Sequence, residues 1–308
     1  MIRVTEKREK IVLALGFFDG VHYGHQALIR KTIKLANEKN CRSGVMTFAE
    51  HPLTHIFPAY APWLITTNDE KIRIMKDMGV DEVYINDFTD TLMKASPKEF
   101  IRDYLLQKYP VCHVVVGFNY TFGYKGEGDI QMLMELGERF GFGVTVIPPC
   151  VIDGRSVSST FIRELISTGK VEEVPKYLGR AYGFDGTIVK GKQLGHTVGI
   201  PTANLKMRAK LILPNSGVYY TEVGLEGKMY DGLTNLGFNP TFEKHPYSIE
   251  TYIYDFNARV YGEPMSLTFK AKIRDEIKFD NLDALFAQIR SDIDRIDREY
   301  RKHSENIQ

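Results

Sequence analysis

The sequence predicts an α/β protein in two parts: a doubly wound parallel domain over residues 1–182, then an antiparallel β-barrel with a terminal helix over residues 183–308. Three observations carry this. Apolar runs suited to buried parallel strands alternate with amphipathic helical stretches through the first half. After about residue 182 the texture changes to short β-branched or aromatic runs bounded by Gly, Pro and Asn. At 308 residues the chain is long for one core and comfortable for two domains.

In order, "KIVLALGFF" is a continuous apolar run, as a strand buried on both faces requires. "GHQALIRKTIKLANEKN" follows with helical spacing of Ile29, Ile33 and Ala36, flanked by Leu28 and Leu35. "CRSGVMTF" is a second strand. "TNDEKIRIMKDMG" opens on a Thr or Asn cap and closes on Gly79, which makes it a helix. "VDEVYIN", "HVVVGF" and "GVTVIPP" are further strands. Between them lie "SPKEFIRDYLLQKY", with Ser96 as cap and Glu99 at the capping-box position, and "DIQMLMELGERFG". In a sheet of this kind ligands sit at the carboxyl ends of the strands. "VSSTFIRELISTGKVEEVPKYLG" holds two short helical pieces separated by Gly169, and the domain boundary falls near Arg180–Phe184. "GFDGTIVKG", "SGVYYTEVGLEGKMYDGLTNLG", "YSIETYIYDF" and "MSLTFKAKIR" are the strands of a small barrel. "NLDALFAQIRSDIDRIDREYRKH" is an amphipathic helix with a charged tail.

Hydrophobic content of 43% and charged content of 26% are ordinary for a globular protein. A net charge of +1 gives no general attraction to nucleic acid or to an anionic membrane, so a phosphate-bearing partner is expected to be a small molecule at a local site. The start, "MIRVTEKREK", has no apolar stretch behind its charges, and no window reaches the roughly 18 apolar residues of a membrane span. Cys41, Cys112 and Cys150 show no CxxC spacing and are expected to be buried reduced thiols, which places the chain in the cytoplasm. Nothing in the sequence bears on oligomeric state.

The densest chemistry lies in "GFFDGVHYGH", Gly16 to His25. Gly16 permits close approach of a ligand or backbone, and Gly20 permits a turn. His22 and His25 fall three apart where loop becomes helix, so both imidazoles can face whatever the helix N-terminal amides bind. On spacing alone three readings stay open: an anion site, half of a metal site, or two surface histidines in a turn. The metal reading has only two ligands and no third His or Cys at companion spacing.

"GFFDGVHYGH" resembles the G-x-F-D-G-x-H-x-G-H signature of the HxGH nucleotidyltransferase superfamily. "MTFAEHP", "VVVGFNYTFGYKGEGD" and "VSSTFIRELISTGKV" are similar to the remaining blocks of its flavin branch, the adenylyltransferase half of the prokaryotic bifunctional riboflavin kinase/FAD synthetase family. The resemblance implies transfer of AMP from ATP to FMN, giving FAD and pyrophosphate. It implies that His22 and His25 stabilise the transition state on the ATP phosphates, within an ATP site that also takes in Gly16, Phe17, Asp19 and Gly24. It places Ser158, Ser159, Thr160 and Arg163 on phosphates, and Asn119, Phe122 and Asp129 in the flavin pocket. Hydroxyls, amides and an Arg at a helix start suit a pyrophosphate in their own right. Many relatives carry Asp where this chain has Asn119, and a basic residue where it has Phe161.

"GTIVKGKQLGHTVGIPTANL" lacks the G-x-x-x-x-G-K-S/T of a P-loop. Its glycines, Gly186, Gly191, Gly195 and Gly199, can arch amides over phosphates, and in an extended segment Thr202 and Asn204 point the same way, toward one Mg²⁺. A glycine-rich hairpin with a Pro turn is the plainer alternative. The segment resembles the flavokinase signature ending G-F/Y-P-T-A-N, and "LPNSGVYYTEV", "TNLGFNPTF" and "SIETYIYDFNARVYGEP" continue that likeness. It implies phosphorylation of riboflavin by ATP, with Gly191, Gly195, Gly199, Thr202 and Asn204 at the nucleotide, Mg²⁺ on Thr202 and Asn204, and Glu250 as base. Glu250 shares a strand face with Tyr252 and Tyr254, opposite Ile249 and Ile253. The chain has His196 where relatives usually carry Arg, Asn239 where many carry Arg, and Ile200 in place of the usual aromatic residue. These departures favour one alternative, an FAD synthetase whose kinase part is degenerate. A non-catalytic flavin sensor is the other, and His22, His25, Thr202, Asn204 and Glu250 argue against it.

Overall fold

Strand β1 (Ile11–Leu15) is buried at all five positions because it lies in the middle of a parallel sheet. In the computed structural model, which describes residues 9–191, 201–238 and 247–301, that sheet comprises β1, β2 (Arg42–Phe48), β3 (Glu82–Asn86), β4 (Val111–Gly117) and β5 (Gly143–Ile147) in the order β3-β2-β1-β4-β5. Alternate residues of β1 face alternate layers, as the two-residue strand period demands. Ile11, Leu13 and Leu15 pack with Val114, Val116, Phe100 and Leu133 on one side. Val12 and Ala14 pack with Val115, Leu28, Ile29 and Met75 on the other. The helices that supply these layers are α1 (Tyr23–Glu38), α2 (Pro52–Ile56), α3 (Asn68–Asp77), α4 (Asp90–Lys94), α5 (Pro97–Glu99), which continues as a π-helical turn over Phe100–Leu106, and α6 (Ile130–Phe140).

The expected caps are present. Thr67 accepts from the Glu70 amide at the start of α3, and Ser96 and Glu99 close a reciprocal capping box. The sequence reading did not anticipate α2, α4 or the hairpin of β6 (Val151–Ile152) and β7 (Arg155–Ser156), which are too short to show a period. The β1–β4 register shifts between Ile11 and Val12, leaving Cys112 as the extra residue of a bulge whose Sγ lies 3.2 Å from that of Cys41. All three cysteines are free, but only Cys41 is buried. Cys112 and Cys150 are half-buried, because the bulge and the loop after β5 each leave one side to solvent.

The chain divides into two compact units, Met1–Ser159 and Thr160–Gln308. The boundary falls after the first residue of α7 (Ser159–Ser167); the second unit holds the rest of α7 and α8 (Pro175–Leu178) and is built on a closed antiparallel barrel. Its strands are β8 (Gly183–Val189), β9 (Thr202–Met207), β10 (Gly217–Leu225), β11 (Lys228–Phe238), β12 (Tyr247–Ile253) and β13 (Pro264–Asp275), in the order β10-β11-β12-β9-β8-β13. Among the described residues, Thr221, Thr234 and Thr251 are the buried threonines of the barrel. Their hydroxyls bond to one another across β10, β11 and β12 at 2.8 and 2.9 Å, so each of the three is satisfied. Helix α9 (Leu282–Ile296) lies on the outside of the barrel, with Ile289, Ile293 and Ile296 against Val218, Leu233 and Ile273. The Arg274 guanidinium clasps the buried carboxylate of Asp292 on α9 at 2.9–3.1 Å.

Because Leu13 is wholly enclosed between rigid neighbours, Leu13→Ala is expected to destabilise the first unit by roughly 2–5 kcal/mol, read as a lower urea midpoint for its unfolding transition.

Candidate active sites

The strand order places the crossover reversal between β1 and β4, and the crevice outside their carboxyl ends is where a doubly wound sheet takes its ligand. There the chain leaves β1 through a contorted loop. Phe18, Gly20 and Val21 all have left-handed backbones, with φ of 57°, 81° and 44°. That conformation is free for Gly20 and strained for Phe18 and the β-branched Val21. The contacts that hold it are visible. Asp19, 2% exposed, accepts from the amides of Ile65 and Thr66 at 3.0–3.1 Å and from the Thr66 hydroxyl at 3.2 Å. The Gly20 amide donates back to Thr66 Oγ1 at 2.9 Å. The Thr47 hydroxyl donates to the Phe17 carbonyl at 2.8 Å, and the Ser159 hydroxyl donates to the Asp19 carbonyl at 2.9 Å.

This bracing delivers His22 to the N-cap of α1, where its Nδ1 accepts from the His25 amide at 3.3 Å. A His in the role usually taken by Ser, Thr, Asp or Asn frees Nε2 to carry the ring proton. The His22 and His25 rings stack with centroids 3.7 Å apart and 14° between planes. Gly24 makes room for this, since a Cβ there would fall 3.1 Å from the His22 ring. Stacked rings present their nitrogens side by side rather than converging on one ion. Among the described residues no cluster of three or more His, Cys, Asp or Glu could hold a metal. With no acidic residue in the first turn of α1, the helix end remains an anion site.

Beside it lies a cavity of about 420 Å³. Gly16, Phe17, His25, Asn119 and Phe122 line it, with Phe48, Phe88 and Phe100 adding aromatic walls. Of the residues expected from the sequence, Gly16, Phe17, His25, Asn119 and Phe122 share this cavity. Asp129 does not line the cavity; its carboxylate caps α6 by accepting from the Met132 amide at 2.9 Å. Ser158 precedes α7 and Ser159 is tied to Asp19, while Thr160 and Arg163 belong to the second compact unit. The sequence reading missed Lys71, a lysine only 1% exposed on α3, whose Nζ lies 3.5 Å from the carbonyls of Phe17 and Phe48 and 4.3 Å from the Phe17 ring centre. Burial lowers its pKa to about 8, against an opposing pull from Asp19. In "TNDEKIRIMK" only an unusually polar helix start hints at it.

In the barrel, register does the positioning. Asn204 pairs with Glu250 and Thr202 with Tyr252 across β9 and β12, and Glu250 pairs in turn with Asn235 on β11. Directly opposed residues share a face, so Thr202, Asn204, Glu250 and Tyr252 form one patch outside the barrel wall, while Ile249 and Ile253 point inward. Thr202, Glu250 and Tyr252 line a cavity of about 300 Å³ closed on its far side by α9 residues such as Leu285 and Ile289. Thr202 also lines a second, more open cavity of about 770 Å³ with Lys190 and Arg259. Gly191 lies so close to Asn204 that a Cβ there would fall 2.1 Å from its amide nitrogen. Gly195, His196, Gly199, Ile200 and Asn239 lie outside the described residues.

Residues 4–161 match the family model described as FAD synthetase, and residues 178–300 match that of riboflavin kinase. A bifunctional riboflavin kinase/FMN adenylyltransferase of Listeria monocytogenes is 36% identical over 285 residues, covering 91% of this chain and 90% of its own length. The protein of the same description from Bacillus subtilis is 35% identical over 293 residues, covering 94% and 92%. A crystal structure described as a macrolide-efflux protein from Streptococcus pneumoniae superposes with a TM-score of 0.85 at 33% identity, over 96% of this chain and 95% of that one. Among the described residues of this chain, no helix is long and apolar enough to cross a membrane.

Asp19→Ala leaves the donors of Ile65 and Thr66 without their acceptor and is expected to cost at least roughly 1–3 kcal/mol, read as a lower thermal midpoint of the ligand-free protein.

Proposed function

The chain belongs to the bifunctional riboflavin kinase/FMN adenylyltransferase family, and on that premise we propose how its residues divide the two reactions. The protein phosphorylates riboflavin to FMN and adenylylates FMN to FAD, with ATP as donor in both steps. We assign FMN adenylylation to residues 1–182 and riboflavin phosphorylation to residues 183–308. ATP, riboflavin, FMN and FAD are its small-molecule partners. A cytoplasmic location accords with these substrates and with three free cysteines.

The observation that carries the first assignment is the stacked pair of His22 and His25 at the N-terminus of α1, with His25 lining the cavity that Gly16 after β1 and Gly117 at the end of β4 also line. A phosphate oxygen of FMN attacks the α-phosphorus of ATP in line, a new P–O–P link forms, and the bond to the pyrophosphate oxygen breaks. Charge grows on the oxygens around that phosphorus and on the departing group. His22 Nε2–H, the His25 ring and the first-turn amides of α1 donate to them in place, with no covalent nucleophile required. The aromatic walls of the neighbouring cavity, with Asn119 and Phe122, suit a flat heterocycle.

In the barrel, Glu250 accepts the proton of the riboflavin hydroxyl as that oxygen attacks the γ-phosphorus of ATP, and the bond from that phosphorus to the bridging oxygen breaks so that ADP leaves. Two placements support this. Glu250 faces the enclosed cavity between barrel and α9, which suits the flavin, and Thr202 sits where that cavity meets the larger one, which carries cations for a polyphosphate. Thr202 and Asn204 fit Mg²⁺: both offer neutral oxygens on one face of β9, and Gly191 leaves the Asn204 amide the space a side chain would fill. Two protein ligands leave the other positions to phosphate and water, as this ion prefers. Bound there, Mg²⁺ supplies charge neutralisation on the transferring phosphoryl group.

The test supplies Mg-ATP with either riboflavin or FMN and resolves the products by chromatography. His25→Ala is expected to make FMN from riboflavin and no FAD, and FAD at the unmutated rate overturns its role. Glu250→Gln is expected to lower FMN formation by about 10²–10⁴-fold and to leave conversion of FMN to FAD intact. Chelation by EDTA is expected to stop both reactions, and added Mg²⁺ to restore them; activity that survives chelation removes the metal from the mechanism.

A further inference from the structure

Lys71 has no part in the roles assigned so far, yet its environment is costly. A lysine 1% exposed is rare, and this one makes no hydrogen bond of ordinary length. Its three N–H donors meet two carbonyl oxygens, of Phe17 and Phe48, at 3.5 Å each, and the face of the Phe17 ring at 4.3 Å. These are ion–dipole and cation–π contacts, and they hold the group less well than water does. The charged group acting on it among the described residues is Asp19 in the loop. The end of β2 contributes the Phe48 carbonyl, and the loop contributes the Phe17 carbonyl and ring.

The Phe17 carbonyl is therefore drawn to the buried side twice, by the Thr47 hydroxyl at 2.8 Å and by the Lys71 ammonium. No described peptide is cis, so the amide of Phe18, in the same peptide plane, points the opposite way. No described residue accepts from that amide, and Gly16, Phe17 and Phe18 all line the cavity beside His25.

We propose that Lys71 is a positioning residue for adenylyl transfer: sealed beneath the loop, its ammonium locks the Phe17–Phe18 peptide so that the Phe18 amide donates to a phosphate of ATP beside His22 and His25. The inference rests on the reading of this site as the FMN adenylyltransferase. The residue acts through charge, so loss of the proton releases the peptide. Since the pKa of Lys71 is lowered to about 8, FAD formation is expected to fall as pH rises through that value. The stability effect has the opposite sign. The unfolded chain holds the lysine proton up to its ordinary value of 10.5, so between about 8 and 10.5 the unfolded state binds more protons and folding becomes more favourable with rising pH. An activity loss in that window is then not an unfolding loss.

The experiment measures kcat for conversion of FMN to FAD with Mg-ATP from pH 6.5 to 9.5, with thermal midpoints at each pH, for the unmutated protein, Lys71→Met and Lys71→Arg. The unmutated protein is expected to show an alkaline limb with a midpoint near 8 and no parallel loss of thermal stability. Lys71→Met is expected to be slower by on the order of a hundredfold in kcat, with KM for FMN little changed and no such limb. Lys71→Arg keeps the charge and is expected to recover much of the rate with the limb displaced above pH 9.5. Should Lys71→Met not fold, the Arg variant and the unmutated profile decide alone. A flat unmutated profile, or the same limb in both variants, overturns the role of Lys71 and leaves the adenylyltransferase assignment standing. No FAD from the unmutated protein at any pH overturns that assignment, and this inference with it.

Discussion

The first unit depends on one carboxylate. Asp19 gathers the amides of Ile65 and Thr66 and the Thr66 hydroxyl, and by doing so it holds three left-handed residues, Phe18, Gly20 and Val21, within four positions. Strain at Phe18 and Val21 costs roughly 1–3 kcal/mol each, and charge-assisted bonds worth about 1.5–3 kcal/mol offset it. The gain is geometric. The loop turns sharply enough to bring His22 onto the α1 N-cap, and from there the His22–His25 stack and the cavity rim follow. A relaxed loop would carry the same side chains on a different path.

The barrel places its patch on regular strands, none of whose four residues has a left-handed backbone. Thr202, Asn204, Glu250 and Tyr252 are fixed relative to one another by the antiparallel register of β9 and β12, while the buried threonines tie β12 to β11 and β10 behind them. The remaining requirement is a second wall for the cavity. It comes from α9, held by an apolar seam and by the Arg274–Asp292 clasp. Breaking one partner of that clasp leaves a buried charge uncompensated, so the wall and the flavin-sized cavity stand or fall together.

What was legible in the sequence was local. The alternation in β1, the spacing in α1, the Ser96–Glu99 box and the Thr67 cap arise from neighbours within a turn or two, and the structure reproduces them. The HxGH block was legible for the same reason, since Gly24 serves a ring two residues away. All of the misses but the N-cap of Asp129 depend on distant partners. Asp19 read as a nucleotide contact, while its carboxylate is engaged by residues 46 and 47 positions on. Lys71 drew no notice in its helix, because the Phe17 loop that lies over it comes from 54 positions away. Asp129 carries an N-cap role that a motif reading passed over, and Cys112 meets Cys41 only through a bulge that no period announces.

The two cavities also differ in the charge of their walls. Lys190 and Arg259 line the larger barrel cavity, but among the described residues no Lys or Arg lines the cavity of the first unit. Fixed cations there would attract ATP, FMN and pyrophosphate alike, and uniform attraction does not lower a barrier. Imidazole N–H groups and helix amides act over short range and reward only an oxygen in the right place. A site made of dipoles is therefore only as good as their orientation. That is why the first unit commits a buried carboxylate, a buried lysine and two threonine hydroxyls to holding four residues of loop still.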